Sequence, residues 1–164
     1  MESRKIEVER LTVISARPFE SVVRSIEDEI GRPDMMKFVE AGRNAKNYAE
    51  LEGVVNRSVS QIGLMLFMKL DAGAVIRRES GSAEPHIIRF LIGNPLIMKE
   101  MAKHVYDAAA YAPITLLVAG HADGVHLSYD KITSALMPYG SSEAMAVARD
   151  LDAKIEHLMR RAAG

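Results

Sequence analysis

Apolar and polar residues alternate near the start of the chain and then change to a helical spacing. Between Lys5 and Ile14 apolar residues are interleaved with charged ones, and this period of two predicts a half-buried strand with a bulge near Arg10. Pro18 follows at a position suited to the first turn of a helix, where its missing N–H costs nothing. Apolar residues then recur at helical spacing as far as Gly31, which predicts a helix. These residues are Phe19, Val22, Val23, Ile26 and Ile30.

Residues 33–60 predict a helical insert made of two short helices. Asp34 can cap the first helix, because its carboxylate can accept hydrogen bonds from the free N–H groups of the first turn. Asn47 and Glu50, three residues apart, predict a capping box for the second helix. The apolar residues of the two helices are Met35, Met36, Phe38 and Val39, and Leu51, Val54, Val55 and Val59.

After residue 64 short apolar runs are separated by turn residues. "LMLFMKL" and "AVIRRE" flank Asp71-Ala72-Gly73, which predicts a first hairpin with Gly73 in a left-handed turn position. A second hairpin, from "ITLLVAG" to "VHLSYD", is predicted to turn through Asp123-Gly124, a dipeptide that favours two-residue turns. Between the hairpins, "HIIRFLI" predicts a central strand.

Strands that arrive mostly as hairpins, with helices at the start, middle and end, predict an α+β fold. The expected architecture is an antiparallel sheet with helices packed on it in two layers. Residues 1–164 are expected to form a single domain with the helical insert at about 33–60. The last helix is expected to begin near Ser141 or Ser142 and to bury a stripe of Ala144, Ala148, Leu151, Ile155 and Leu158.

Composition excludes several kinds of partner and site. The 164 residues carry 21 Lys and Arg against 22 Asp and Glu, so the formal net charge is −1 and there is no basic surplus to bind nucleic acid or an anionic membrane. The absence of cysteine excludes disulfides, thiolate nucleophiles and Cys-ligated metals. Charges interrupt the apolar residues of the N-terminal segment, and no apolar run approaches the length of a membrane span. We therefore expect no signal peptide and a cytoplasmic location.

The stretch Gly93-Asn94-Pro95 joins the central strand to a predicted helix. Asn94 can accept from the first free N–H groups of the helix, Pro95 suits its first position, and Gly93 permits a sharp bend. The same helix start can also hold an anion. The glycine spacing of nucleotide-binding loops is missing, however, and Lys99 is the nearest basic residue on the helix. The capping interpretation is therefore favoured.

Two histidines of the second hairpin are candidate metal ligands. If Asp123 and Gly124 form a two-residue turn, His121 lies directly opposite His126, with Cβ atoms about 5 Å apart. By alternation, Asp130 falls on the same face. Two facing imidazoles and a carboxylate can bind zinc, copper or nickel, or take part in proton transfer. The alternative is a solvated face on which both histidines are simply exposed, and a one-residue change of register would separate them.

Methionine is unusually frequent, with 10 residues. Met side chains adapt to irregular gaps, so they can fill an ordinary core or line a cavity for a small apolar or amphipathic ligand. Asn94, Tyr129 and Asp130 are candidate polar groups of such a site. The candidate lining residues are Met35, Met36, Met65, Met68, Met98 and Met101.

Three classes of function remain open. The first is non-catalytic binding of a small apolar or amphipathic ligand, and the second is a homodimeric assembly module, which a large apolar surface patch would mark. The third is a metal protein or acid–base enzyme built on His121, His126, Asp130 and Tyr129. The chain has no GxSxG or HExxH motif, so neither catalytic residues nor a cofactor can be named. Binding or assembly is favoured over catalysis.

Four segments taken together resemble a bacterial protein family. They are "FLIGNPLIMKEM", "YAPITLLV", "GVHLSYDKI" and "ARDLDAKIEHLM". Their order is a strand, Gly-Asn-Pro, a helix, a strand after a proline, a hairpin ending in Tyr-Asp, and a terminal amphipathic helix. In this order and spacing the chain resembles the domain-of-unknown-function family 302. The resemblance is best from about Leu64 to Met159 and weaker in the strand and helix of residues 5–30, and the insert around residues 33–60 matches less well.

The resemblance implies a compact α+β domain similar to the TATA-binding-protein-like class of folds, and it implies pairing as homodimers. Many members have a cysteine after the proline that corresponds to Pro113, where this chain has Ile114. Thiol chemistry at that position is therefore absent here. The family name states no activity, so no catalytic residue is carried over. The recurring positions that the chain matches are Gly93, Asn94, Pro95, Pro113, Tyr129 and Asp130.

Overall fold

A computed structural model of the chain describes residue 3 and residues 5–164. Five strands form one sheet: β1 (Arg10–Ser15), β2 (Met65–Asp71), β3 (Ile87–Gly93), β4 (Ile114–His121) and β5 (Gly124–Asp130). The α-helices are α1 (Phe19–Glu29), α2 (Met35–Asn44), α3 (Tyr48–Ser58), α4 (Ala74–Ser80), α5 (Pro95–Ala102), α6 (Ile132–Leu136) and α7 (Ser142–Ala163). Short 3₁₀ turns span Tyr106–Ala110 and Met137–Tyr139.

The sheet is open and antiparallel throughout, with strand order β1-β5-β4-β3-β2. Helices α1, α5 and α6 each contact the long helix α7, and together they cover one face of the sheet. This arrangement is the two-layer α+β fold that the sequence predicts. In the part of the chain that the structure describes, no helix is both long and apolar enough to cross a bilayer.

The hydrophobic core lies between the inner sheet face and helices α1 and α7. Alternate strand residues point into it, as the period of two requires. Phe90, Ile92, Leu116, Val118, Leu127 and Tyr129 are all at most 2 % exposed. The predicted stripe of α7 is buried against them, because Ala144, Ala148, Leu151, Ile155 and Leu158 recur every three or four residues along one side of the helix.

A buried carboxylate ties α7 to the end of β5. Asp152 is 5 % exposed, and its oxygens accept hydrogen bonds from the Tyr129 hydroxyl at 2.5 Å, the Ile132 N–H at 2.9 Å and the Thr133 hydroxyl at 2.6 Å. Burial and the neighbouring Asp152 charge raise the pKa of Tyr129, which therefore remains a proton donor. One carboxylate thus joins a strand, the start of α6 and the middle of α7.

The Gly93-Asn94-Pro95 junction is a structural joint. The Asn94 side chain accepts from the Leu96 N–H at 2.8 Å and donates to the Gly63 carbonyl at 2.9 Å, and Pro95 opens α5. Gly93 does not have a positive φ, so it is not a left-handed turn residue. A Cβ at this position would lie 3.2 Å from the Cα of Pro113, so a larger residue would require the neighbouring backbone to shift by a few tenths of an ångström.

The predicted first hairpin is wrong in its second half. Ala74–Ser80 is the helix α4, and β2 pairs instead with β3. Gly73 has φ −75°, which lies outside the left-handed region. A residue with a side chain would clash at this position, because its Cβ would lie 2.4 Å from the Pro85 carbonyl oxygen. Arg77 stabilises the helix by bonding to Asp71 at 2.5 Å and to that same carbonyl at 2.9 Å.

The N-terminal predictions need smaller corrections. The first strand begins at Arg10 instead of Lys5, and its register with β5 is continuous, so there is no bulge at Arg10. The sheet bulge lies in β2, between Leu66 and Met68. Pro18 precedes α1 as its cap and is not its first helical residue. The single-domain prediction for residues 1–164 also includes Met1, Glu2 and Arg4, which lie outside the described residues.

The predicted caps of the 33–60 helices are present. Asp34 accepts from the Met36 and Lys37 N–H groups at 3.0 and 3.1 Å, and Asn47 accepts from the Glu50 N–H at 3.0 Å. The reciprocal half of the capping box differs, because Glu50 accepts from the N–H of Lys46 at 2.8 Å. None of the residues of α2 is fully buried, so this helix lies on the surface.

The Asp152 network gives a stability prediction. Asp152→Ala leaves the buried donors of Tyr129, Ile132 and Thr133 without their acceptor, so we expect the free energy of unfolding to fall by about 2–4 kcal/mol. Urea denaturation followed by circular dichroism measures this change. The control is Asp150→Ala on the exposed side of α7, which should change the unfolding free energy by less than about 0.5 kcal/mol. Equal losses in the two variants would contradict the proposed role of Asp152.

Candidate ligand groove on the open sheet face

The second face of the sheet carries a mixed row of side chains. Thr12, Ser128, Leu117, Arg89 and Leu70 are successive cross-strand partners, so their row crosses all five strands. They alternate with core residues such as Phe90 and therefore point away from helices α1 and α7. The helices leave this side of the sheet, which we call the open face, available for contact with other molecules.

A groove of about 760 Å³ lies at one end of the open face. Its floor is formed by strand residues that include Leu91, Thr115 and Leu117. Ile6 and Val8, which precede β1, form part of its wall, together with the segment from Ala109 to Pro113 and the start of α6. The alternation of Ile6 and Val8 predicted a strand, but the structure places these residues beside the groove.

Two ion pairs lie at the β1–β5 side of the groove. The Arg10 guanidinium donates to both oxygens of Asp130 at 2.6 and 2.8 Å, a bidentate arrangement. This hydrogen bond and the positive charge of Arg10 hold the pKa of the Asp130 carboxyl below its ordinary value. Lys131 also lines the groove, and its ammonium group lies 2.6 Å from a carboxylate oxygen of Glu9. These charges are already paired within the protein.

Arg89 is a groove cation with a different environment. Its guanidinium donates to the Thr115 hydroxyl oxygen at 3.1 Å. Within the described residues no carboxylate forms an ion pair with it. The side chain is exposed at the floor of the groove, so it presents hydrogen-bond donors to whatever enters.

The predicted histidine pair is close, but not in the predicted register. His121 pairs with Gly124, and His126 pairs with Ala119, so the two histidines are diagonal neighbours. Ala122 and Asp123 form the turn, and Gly124, with φ +139°, lies in the strand against the carbonyl of Ser15. The register differs from the prediction by two residues, which preserves the face of each side chain.

The two imidazole rings lie close together in a tilted arrangement, with centroids 4.1 Å apart and planes inclined by 33°. His126 Nε2 lies 2.9 Å from a carboxylate oxygen of Asp123. Asp130, the predicted third member of the group, lies four residues along β5 from His126, a separation of roughly 13 Å. Across residues 3 and 5–164, no cluster of three or more His, Asp or Glu side chains has an arrangement that could hold a metal ion.

The methionine candidates do not converge on one cavity. Met65 and Met101 are fully buried in the core, and Met98 is partly buried on α5. Met35 and Met36 line a separate shallow depression on the surface of α2, whereas Met68 lies on the open face beside Leu91.

Of the polar candidates, Asp130 lines the groove, whereas Tyr129 points into the core and Asn94 caps α5. The groove residues that the sequence analysis did not select are Arg89, Leu91, Thr115, Leu117 and Ser128. Strand alternation could have placed them on the open face, because all five alternate with the core residues of their strands.

The Arg10–Asp130 pair gives a prediction about ionisation. Replacing Arg10 by Gln removes the hydrogen bond and the charge that lower the Asp130 pKa, so this pKa should rise toward its ordinary value of 3.8. The wild-type pair contributes its stabilisation above pH 3.8 and loses it as the pH falls through the lower pKa of the folded state. Carboxyl-detected NMR titration measures the Asp130 pKa in the wild-type protein and in the variant. An unchanged Asp130 pKa would show that the ion pair does not persist in solution.

The fold of the chain is similar to that of a solved protein. The crystal structure of an uncharacterized conserved DUF302 protein from Bacillus stearothermophilus is similar, with a TM-score of 0.66 and 10 % sequence identity over 93 % of this chain and 97 % of that chain. At this identity the likeness concerns the fold. Among curated proteins, none matches the chain. The model of the family described as domain of unknown function DUF302 matches residues 41–162, which run from the last turn of α2 to the last turn of α7. The chain therefore belongs to the DUF302 family.

Proposed function

We propose that the groove on the open face binds a small amphipathic molecule without changing it chemically. The observation that carries this proposal is a concave site whose floor combines apolar side chains, such as Leu91 and Leu117, with polar ones, such as Arg89 and Thr115. Its volume of about 760 Å³ lies in the range of small-molecule sites, roughly 300–1,000 Å³.

The lining suits an elongated molecule with one polar end. Leu91, Leu117, Ile6 and Val8 supply apolar surface. Contact with a hydrocarbon chain there removes apolar area from water, which stabilises the complex by about 25 cal/mol per Å² before the cost of association. Hydroxyl and guanidinium groups on the same floor can bind a polar end and fix the orientation of the ligand.

The polar groups of the groove favour binding over catalysis. Arg10 and Asp130 bond to each other, and Lys131 bonds to Glu9. The Ser128 hydroxyl lies 3.4 Å from that of Thr12 and is not hydrogen-bonded to a general base among the described residues. Nucleophilic catalysis needs such a base within hydrogen-bond reach.

Substitution at the floor of the groove tests the proposal. We expect 1-octanol to shift the amide NMR signals of groove residues in the wild-type protein. Leu117→Asn should weaken this binding about tenfold, because burial of a leucine side chain contributes roughly 1.5–3 kcal/mol. Ile14→Asn is the matched control, since Ile14 lies on the same sheet face and does not line the groove. Equal effects of the two substitutions, or no saturable shifts, would count against the groove as the binding site.

A homodimeric assembly module is the second candidate, and exposed apolar side chains on the open face favour it. Ile14 is 53 % exposed, Met68 48 % and Leu70 40 %. A second copy placed against this face would cover all three, and apolar patches of this kind often mark interfaces. Such a dimer would also cover the groove floor, so the two candidate functions compete for one surface.

Oligomeric state tests this second candidate. If two copies pair through the open face, Ile14→Lys combined with Leu70→Lys should raise the dissociation constant of the dimer at least tenfold, because buried like charges would oppose association. Native mass spectrometry over a concentration series measures the change. Met36→Lys, on the exposed surface of α2, is the control and should leave the dimer intact. A wild-type monomer at all concentrations, or a double variant that still dimerises, would reject assembly through this face.

A further inference from the structure

We infer that the groove selects carboxylates, and that Arg89 together with Thr115 forms the subsite for the acid group. This inference rests on the proposed function, because it names the chemical class of the ligand that the groove would bind. The subsite would bind the polar end of the ligand, and the apolar floor of the groove would bind its hydrocarbon chain.

Arg89 differs from the other cations that line the groove in the kind of group it contacts. Its neighbours Arg10 and Lys131 already have carboxylate partners within the protein, at 2.6 Å in each case. Arg89 has a neutral hydroxyl as its hydrogen-bond acceptor, at 3.1 Å on Thr115. A guanidinium has five N–H donors in a planar arrangement, so most of its donors remain available to a ligand.

Thr115 adds a second donor at the same place. Its oxygen accepts from Arg89, and among the described residues it donates to no acceptor, so its hydroxyl hydrogen can donate to a ligand. Donors from a guanidinium and a hydroxyl then converge on one region of the groove floor. This arrangement matches the two oxygens of a carboxylate, and hydrogen bonds to a charged group are stronger than those to a neutral one.

The rest of the groove favours a single negative charge. Asp130 lines the same groove, and its low pKa keeps it ionised at neutral pH. Arg10 balances this charge, so Arg89 is the groove cation that has no carboxylate partner among the described residues. One carboxylate would balance the charge of Arg89, whereas a dianion such as a phosphate monoester would leave an excess negative charge in the groove. Leu91, beside Thr115 in the cross-strand register, supplies apolar surface next to the subsite. The class of ligand is therefore a carboxylic acid with an apolar chain.

The test compares octanoate with 1-octanol, two probes with the same number of carbon atoms and different polar ends. The wild-type protein at neutral pH and low salt should bind octanoate about tenfold more tightly than octanol, as expected for hydrogen bonds to a charged group. Arg89→Gln should remove this preference, because it should weaken octanoate binding about tenfold and octanol binding much less. Affinities come from NMR titration, which also reports whether each variant is folded.

Two further variants separate charge from geometry. Arg78→Gln on the exposed surface of α4 removes the same charge away from the groove and should keep the preference for octanoate. Arg89→Lys keeps the charge but loses the planar donor set, so it should retain part of the preference. Octyl phosphate serves as the second anion and should bind more weakly than octanoate in the wild-type protein.

The outcomes distinguish this inference from the proposed function. Octanol binding at the groove with no preference for octanoate would reject the carboxylate subsite and leave the groove as an apolar site. A preference that survives Arg89→Gln, or that disappears in Arg78→Gln, would also reject it. Failure of both probes to bind would overturn the proposed function and this inference together.

Discussion

The buried carboxylate of Asp152 must be satisfied by hydrogen bonds, and this requirement fixes where α7 lies on the sheet. Tyr129 and the Ile132 N–H reach it from the end of β5 and the start of α6. An ionised group placed in the core without such donors would cost several kcal/mol. The position of α7, and with it the helix layer, depends on donors that the β5–α6 junction supplies.

The same junction also builds part of the groove. Tyr129 and Asp130 are neighbours in sequence, so they point to opposite faces of the sheet. The first bonds to Asp152 in the core, and the second bonds to Arg10 on the open face. Lys131 and Ile132, which follow, line the groove wall. Residues 129–132 therefore contribute both to the packing of the core and to the groove on the open face.

The sequence was sufficient to predict the fold class and the α7 stripe, because periodicity reports directly on which side of an element is buried. It predicted the wrong structure for Ala74–Ser80, since a glycine after a strand suits both a hairpin and a helix start. The partner of β2 is β3, which follows α4 in the chain, and the local pattern does not show this pairing. The groove was missed for a related reason. Its floor combines residues from β3, β4 and β5, and only the strand order reveals that Arg89, Leu117 and Ser128 form one row.

A similar backbone does not by itself transfer a site. The Bacillus stearothermophilus structure shares the fold at 10 % identity, so most side chains on the open face are free to differ between the two proteins. Side chains in the core are held by packing, whereas those on the open face meet solvent and are held mainly by pairs such as Arg89 with Thr115. Changes in a few of these outward residues would alter the charge of the groove without affecting the sheet beneath it. Under the proposed function, the outward residues of three strands would decide which ligand the groove binds, and they can change while the Asp152 network keeps the fold constant.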